Sequence, residues 1–188
     1  MVRQWRWPGV PLLDRRGRPL GVFTGLVADE AGQVPVALVA GATRGAGRAI
    51  AVELARAGFF VYATGRSSRA AGPSELGRPE TIEETGDLIR AAGGAGAARV
   101  VDHEDPSQVA ALVAAIDDER GRLDVLVNDI FGGDRYMQWD KPLWEHDLQG
   151  GLRMLRMGVH THLITCRAAI PVMRGPPLRM APAAWWWR

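Results

Sequence analysis

The segment Gly41-Ala42-Thr43-Arg44-Gly45-Ala46-Gly47 constrains this chain more than any other. It follows the apolar run Val36-Ala37-Leu38-Val39-Ala40, the pattern of a parallel strand buried on both faces. It precedes Arg48 to Arg56, where Ala49, Ile50, Val52, Leu54 and Ala55 give a helix its apolar side and Gly58 suits the C-terminal cap. Glycines let the backbone turn tightly and approach a pyrophosphate closely. The helix N-terminus then offers free N–H groups and partial positive charge to phosphate, so the unit predicts nucleotide binding. Close packing of helix on sheet is the plainer use of the same glycines. A P-loop does not fit, because Arg48 stands where its lysine would be and no Ser or Thr follows.

The alternation of strand and helix continues. Phe59 to Ala63 reads as a second strand, a Gly/Pro/Ser-rich loop runs from Gly65 to Pro79, and a helix is expected from Glu80 to about Ala92. Ala98 to Val101 is a third strand, Pro106 to about Glu119 a helix, and Leu123 to Val127 a fourth strand. Trp139 to Met173 reads as helix in two pieces, with Trp139, Trp144, Leu148 and Leu152 as packing residues. This is the pattern of an α/β doubly wound parallel sheet occupying residues 34–173.

Composition narrows the chemistry. Arg3, Arg6, Arg15, Arg16 and Arg18 outnumber Asp14, Asp29 and Glu30 by two, which is the whole net charge of +2. The body of the chain is therefore neutral, and no nucleic-acid partner is expected. Residues 1–33 read as a disordered extension or a start placed too far upstream. They are not a signal peptide, since Pro8, Pro11, Asp14 and Arg15-Arg16 interrupt any apolar run. No stretch has the length of a membrane span. The single cysteine, Cys166, makes no internal disulfide, which suits a reducing, cytoplasmic setting. His160 and His162 lie two apart on a helix and make a poor metal pair, and His103 and His146 have no ligand cluster nearby in sequence. No metal site is expected.

From about Val34 to Met173 the chain resembles the short-chain dehydrogenases/reductases. The resemblance rests on Gly41-Ala-Thr-Arg-Gly-Ala-Gly47, on Val101-Asp102-His103, and on Leu123-Asp-Val-Leu-Val-Asn128. It implies a Rossmann-like sheet of order 3-2-1-4 and an NAD(P)-dependent oxidoreductase acting on a carbonyl or alcohol. By position, Gly41, Thr43, Arg44, Gly45, Ala46 and Gly47 would line the cofactor phosphates. Asp102, with His103 beside it, would face the adenine, and Asn128 would sit near the ribose and brace the sheet. NAD-type sites place an acid after the second strand, whereas arginine accommodates a 2′-phosphate. Here stands Thr64-Gly65-Arg66, with Arg44 as a second candidate, so NADP(H) is expected in preference to NAD(H).

The departures from the family matter as much. The fourth strand usually leads into Asn-Asn-Ala-Gly, but here into Asn128-Asp129-Ile130-Phe131, and Gly158 stands where the family carries a structural asparagine. The family's proton transfer uses a serine and a Tyr-x-x-x-Lys pair. Lys141 is the sole lysine, and Arg66 and Asp140 lie four past Tyr62 and Tyr136, so no catalytic residue is assigned. The sheet is expected to stop before a fifth strand, leaving the fourth as an edge that invites association or aggregation. Residues 174–188 read as a frameshifted tail. The codons of Trp185-Trp186-Trp187 contain valine codons in another register, and with C or G at the free third positions Ala181 to Trp187 re-reads as Pro-Gly-Gly-Leu-Val-Val. A hydrophobic partner-binding tail, and a non-catalytic nucleotide-binding or interaction module, are the alternatives.

Overall fold

The computed structural model describes residues 11–13, 19–22 and 33–173. Within the N-terminal extension, β1 (Pro11–Leu13) pairs antiparallel with β2 (Pro19–Val22). The other residues of 1–32, and the tail 174–188, lie outside the described residues.

The main sheet contains β3 (Val36–Ala40), β4 (Phe60–Gly65), β5 (Ala95–Val100) and β6 (Val125–Asn128). All pair in parallel, in the order β5-β4-β3-β6, which is the expected 3-2-1-4. Successive side chains of a strand point to opposite faces. Ala37, Val39, Val61 and Ala63 accordingly face one layer, with Leu54, Ala55, Ile82 and Ile89 of α1 (Gly45–Arg56) and α2 (Ile82–Ala91). Val36, Leu38 and Tyr62 face the other, against Val109, Leu112 and Ile116 of α3 (Pro106–Arg120) and Ala169.

Local chemistry sets the helix limits. Thr81 accepts from the Glu84 N–H while the Glu84 side chain accepts from the Thr81 N–H, a reciprocal cap that starts α2 two residues after the expected Glu80. Asp105 caps α3 ahead of Pro106, and Gly121, at φ 66°, ends it. β3 has the expected bounds and the edges of the other strands differ by one to three residues; β5 starts at Ala95 because Gly96 and Ala97 pair with Val61 and Tyr62 despite weak strand propensity.

The expected helical pieces from Trp139 need correction. Pro142 leads only into a short 3-10 turn at Leu143–Glu145, and the helix begins at Leu148, where Asp147 accepts from the Gln149 and Gly150 N–H groups. From there α4 (Leu148–Leu155) continues through a π turn (Arg156–His160) into α5 (Thr161–Met173). Trp139 and Trp144 are 88% and 84% exposed, and Leu148 and Leu152 are exposed too, so none is a core packing residue. Gly158 lies within the π turn.

Beneath β3 and β6 lies a charged clamp. Arg122 donates to both oxygens of Asp124 at 2.7 and 2.8 Å, and Asp124 also accepts from the Val36 N–H at 2.9 Å. Both side chains are buried.

Candidate functional site

A cavity of about 370 Å³ opens at the C-terminal ends of the strands. It lies where β3 has β4 on one side and β6 on the other, the point at which the strand order reverses and where ligands of such sheets bind. Its wall is drawn from Gly41 to Ala46, Gly65 to Ser67, Val101 to Glu104, and Asp129 to Phe131. Its volume is that of a small-molecule site.

The glycine turn is built by close approach. Gly41 has φ +89°, and a Cβ there would run into the Asp129 backbone. A Cβ on Gly47 would strike the Gly41 carbonyl and come within 2.9 Å of Asp129 Oδ2. The turn can thus seat α1 with its first N–H groups toward the cavity, and Gly45 and Ala46 border it. Gly47 lies one residue deeper, and its N–H donates to Asp129 Oδ2 at 2.6 Å. Asp129, like Ser67 and Glu104, is a cavity residue to which the sequence assigned no role. Its signal was positional, since it directly follows the strand-ending Asn128.

The two arginines expected to meet phosphate both line the cavity. Arg44 reaches Ser67 Oγ at 3.5 Å and lies 3.4 Å from Glu80. Arg66 donates to Glu75 at 3.1 Å and to Glu104 at 3.3 Å. Arg153 of α4 donates to the same two carboxylates, at 2.8 Å to Glu75 and 2.5 Å to the nearer Glu104 oxygen, closing a ring of four charges of which Arg66 and Glu104 line the cavity. Burial would raise the Glu75 carboxyl, but the hydrogen bonds from Arg153 and Arg66 outweigh it and hold it below the usual range. The bond from Arg153 holds Glu104 down as well. Arg48 points away from the cavity role and ties α1 to α2 through Thr85 and Glu84.

Thr43 and Asp102 also line the cavity, and the Asp102 carboxylate accepts from the Glu104 N–H at 2.9 Å. Asn128 does not line it. Asn128 Nδ2 donates to Cys166 Sγ at 3.2 Å, bracing β6 against α5, while its Oδ1 is buried without a partner.

His103 borders the cavity but spends both ring nitrogens inside the fold. Nδ1 lies 2.8 Å from Thr165 Oγ1 and Nε2 lies 2.8 Å from Thr64 Oγ1. The Thr165 hydroxyl donates to the Thr161 carbonyl at 2.7 Å and so accepts from Nδ1, while the Thr64 hydroxyl, 3.3 Å from the Val39 carbonyl, gives its proton to the nearer Nε2. A neutral ring therefore bridges β4 and α5. Burial, helped by the charge of His162, lowers the His103 pKa from 6.5 to about 4. The unfolded chain then binds a proton that the folded one refuses across this window. Stability is full above pH 6.5 and falls by about 3 kcal/mol as the pH drops toward 4. Urea unfolding across that range should show the slope in the wild type and lose most of it in His103→Gln; equal slopes would refute the bridge.

Neither tyrosine stands in the cavity wall. Tyr62 is buried in β4 and donates to Glu119 at 2.6 Å, with burial foremost in raising its pKa. Tyr136 lies beside Gly150 at the start of α4. Among the described residues no group of three or more His, Cys, Asp or Glu side chains is placed to hold a metal, and no helix is long and apolar enough to cross a membrane.

The family model described as short chain dehydrogenase matches residues 35–177. Mouse (Mus musculus) dehydrogenase/reductase SDR family member 1 is 37% identical over 123 residues, covering 64% of this chain and 35% of that protein. A double mutant of a Serratia marcescens short-chain dehydrogenase/reductase superposes with TM-score 0.60 at 27% identity, covering 75% of this chain and 51% of that one. A metagenomic short-chain oxidoreductase solved in complex with NADP gives TM-score 0.57 at 26% identity, over 74% of this chain and 57% of that one. The chain thus spans between about a third and just over half the length of these relatives.

Proposed function

The chain belongs to the short-chain dehydrogenase/reductase family, and on that premise we propose that it carries the dinucleotide-binding half of an oxidoreductase, taking NADP(H) in preference to NAD(H). The observation that carries this is the cavity at the strand-order reversal, with the glycine turn and the first turn of α1 in its wall. The first-turn N–H groups of α1 suit the pyrophosphate, and Asp102 suits the adenine edge. Arg44 and Arg66 are the cations for a 2′-phosphate. When bound, the nicotinamide supplies hydride chemistry on a carbonyl or alcohol; the chain's own part is to hold and orient it. Residues 1–188 contain no Tyr-x-x-x-Lys, so we expect nucleotide binding without turnover. A cytoplasmic setting fits the single cysteine. The outer side of β6, at one end of the sheet, is the surface through which copies would associate or aggregate.

The ring around Arg66 favours a second reading. Glu75 and Glu104 already neutralise its guanidinium and could accept from a ribose 2′-hydroxyl, as NAD(H) requires. Fluorescence titration separates the two. Under the first reading NADPH binds about tenfold more tightly than NADH, and Arg66→Ala removes that margin. Tighter binding of NADH than of NADPH by the wild type would transfer the preference to NAD(H), and an unchanged margin in Arg66→Ala would take the 2′-phosphate contact away from Arg66.

A further inference from the structure

We infer that Asp129 is an internal anion set at the phosphate-facing end of α1, and that it selects against phosphorylated ligands in proportion to their charge. The inference rests on the reading of the cavity as a dinucleotide site. A helix N-terminus attracts anions through its unpaired N–H groups and its dipole. Here one of those groups is already taken: Asp129 Oδ2 accepts from the Gly47 N–H at 2.6 Å. The carboxylate is held firmly there. Its backbone N–H donates to the Ala40 carbonyl at 2.8 Å, and its own carbonyl crowds Gly41.

No basic side chain among the described residues forms an ion pair with this carboxylate. Arg44 lies against Glu80, and Arg48 is bonded to Glu84. Asp129 lines the cavity together with Gly45 and Ala46, so a phosphate brought to those N–H groups meets a fixed negative charge on the neighbouring donor. Much of the attraction that α1 would offer to phosphate is already spent on the protein's own carboxylate. An amide at this position would keep the acceptor for Gly47 and remove the repulsion. Asp129 is thus a specificity-determining residue, deciding how strongly the cavity discriminates a nucleoside from its phosphates.

Calorimetric titration of the 188-residue chain and of Asp129→Asn with adenosine, ADP and NADPH tests this. Asp129→Asn should bind ADP and NADPH about tenfold more tightly than the wild type, with adenosine unchanged. The gain should shrink at about 0.5 M salt, where charges are screened. Asp129→Ser, which keeps an oxygen but no charge, should show the same selective gain and guards against a folding defect in one variant. A gain equal for adenosine, or no gain for ADP in either variant, overturns the role of Asp129 while leaving the dinucleotide site in place. If no chain binds ADP or NADPH, the dinucleotide reading itself falls and takes this role with it.

Discussion

Replacing Asp124 by alanine is expected to cost about 4 kcal/mol, most of the stability of a domain at the low end of the usual range of about 5–15 kcal/mol. The reason is asymmetric desolvation. Arg122 is 7% exposed and gives two parallel hydrogen bonds to Asp124, whose Oδ2 also takes the Val36 N–H. As an intact unit such a clamp adds little beyond what apolar packing would add. Broken on one side, it removes the carboxylate counter-charge from a buried guanidinium that keeps its bond to Gln33, and strips a partner from the first residue of β3. Denaturant titration measures the effect. A loss below about 1 kcal/mol would mean that water reaches Arg122 and that the pair behaves as a surface one.

Gly41→Ala should be nearly as damaging and should abolish nucleotide binding as well. At φ +89° an L side chain is strained by about 1–2 kcal/mol. The added methyl would also press on the Asp129 backbone, and overpacking of that kind costs about 1–3 kcal/mol more. The displaced loop would carry the first turn of α1 and Asp129 out of register together. Denaturation and NADPH titration should both respond. A variant with wild-type stability would show that the loop relaxes freely and that the close approach of β3 and β6 at this point is not a constraint.

The strand positions were legible because buried strands write unbroken apolar runs, while the order 3-2-1-4 was what the family resemblance implied. Val36 to Ala40, buried throughout, does so, and the half-buried Val125 to Val127 still carries the same run. The glycine turn was legible for a related reason, that its position between strand and helix admits few alternatives. Ala95 to Ala97 was not, since Ala and Gly join β5 through backbone pairing and leave no side-chain signature. The exposure of Trp139 and Trp144 could not be read from residue type, because large apolar residues carry no mark of which side of a surface they occupy.

Within the site, Arg44, Arg66, Gly41 and Gly45 stand at the cavity, whereas Gly47 and Asn128 do not line it. The partners of Arg66 were invisible. Glu75, Glu104 and Arg153 come from a loop, a strand–helix turn and α4, separated by up to 78 positions in the Arg153–Glu75 pair. His103 posed the same difficulty, since its bridge to Thr165 spans 62 positions. Ion-pair rings and buried polar bridges depend on tertiary placement, and a single sequence holds no local pattern for them.

The parallel sheet also dictates an order of assembly. β3, β4 and β5 follow one another with one helix between each pair, whereas β6 must return past them to lie on the open side of β3, joining Ala37 to Val125. During synthesis the three-strand unit emerges from the ribosome first, and the pairing side of β3 waits through the translation of α3. For that interval the backbone of Ala37 to Ala40 is a sticky nascent edge. Slowing translation across α3 should lengthen the interval, and a chaperone able to cover an open strand would be most needed there.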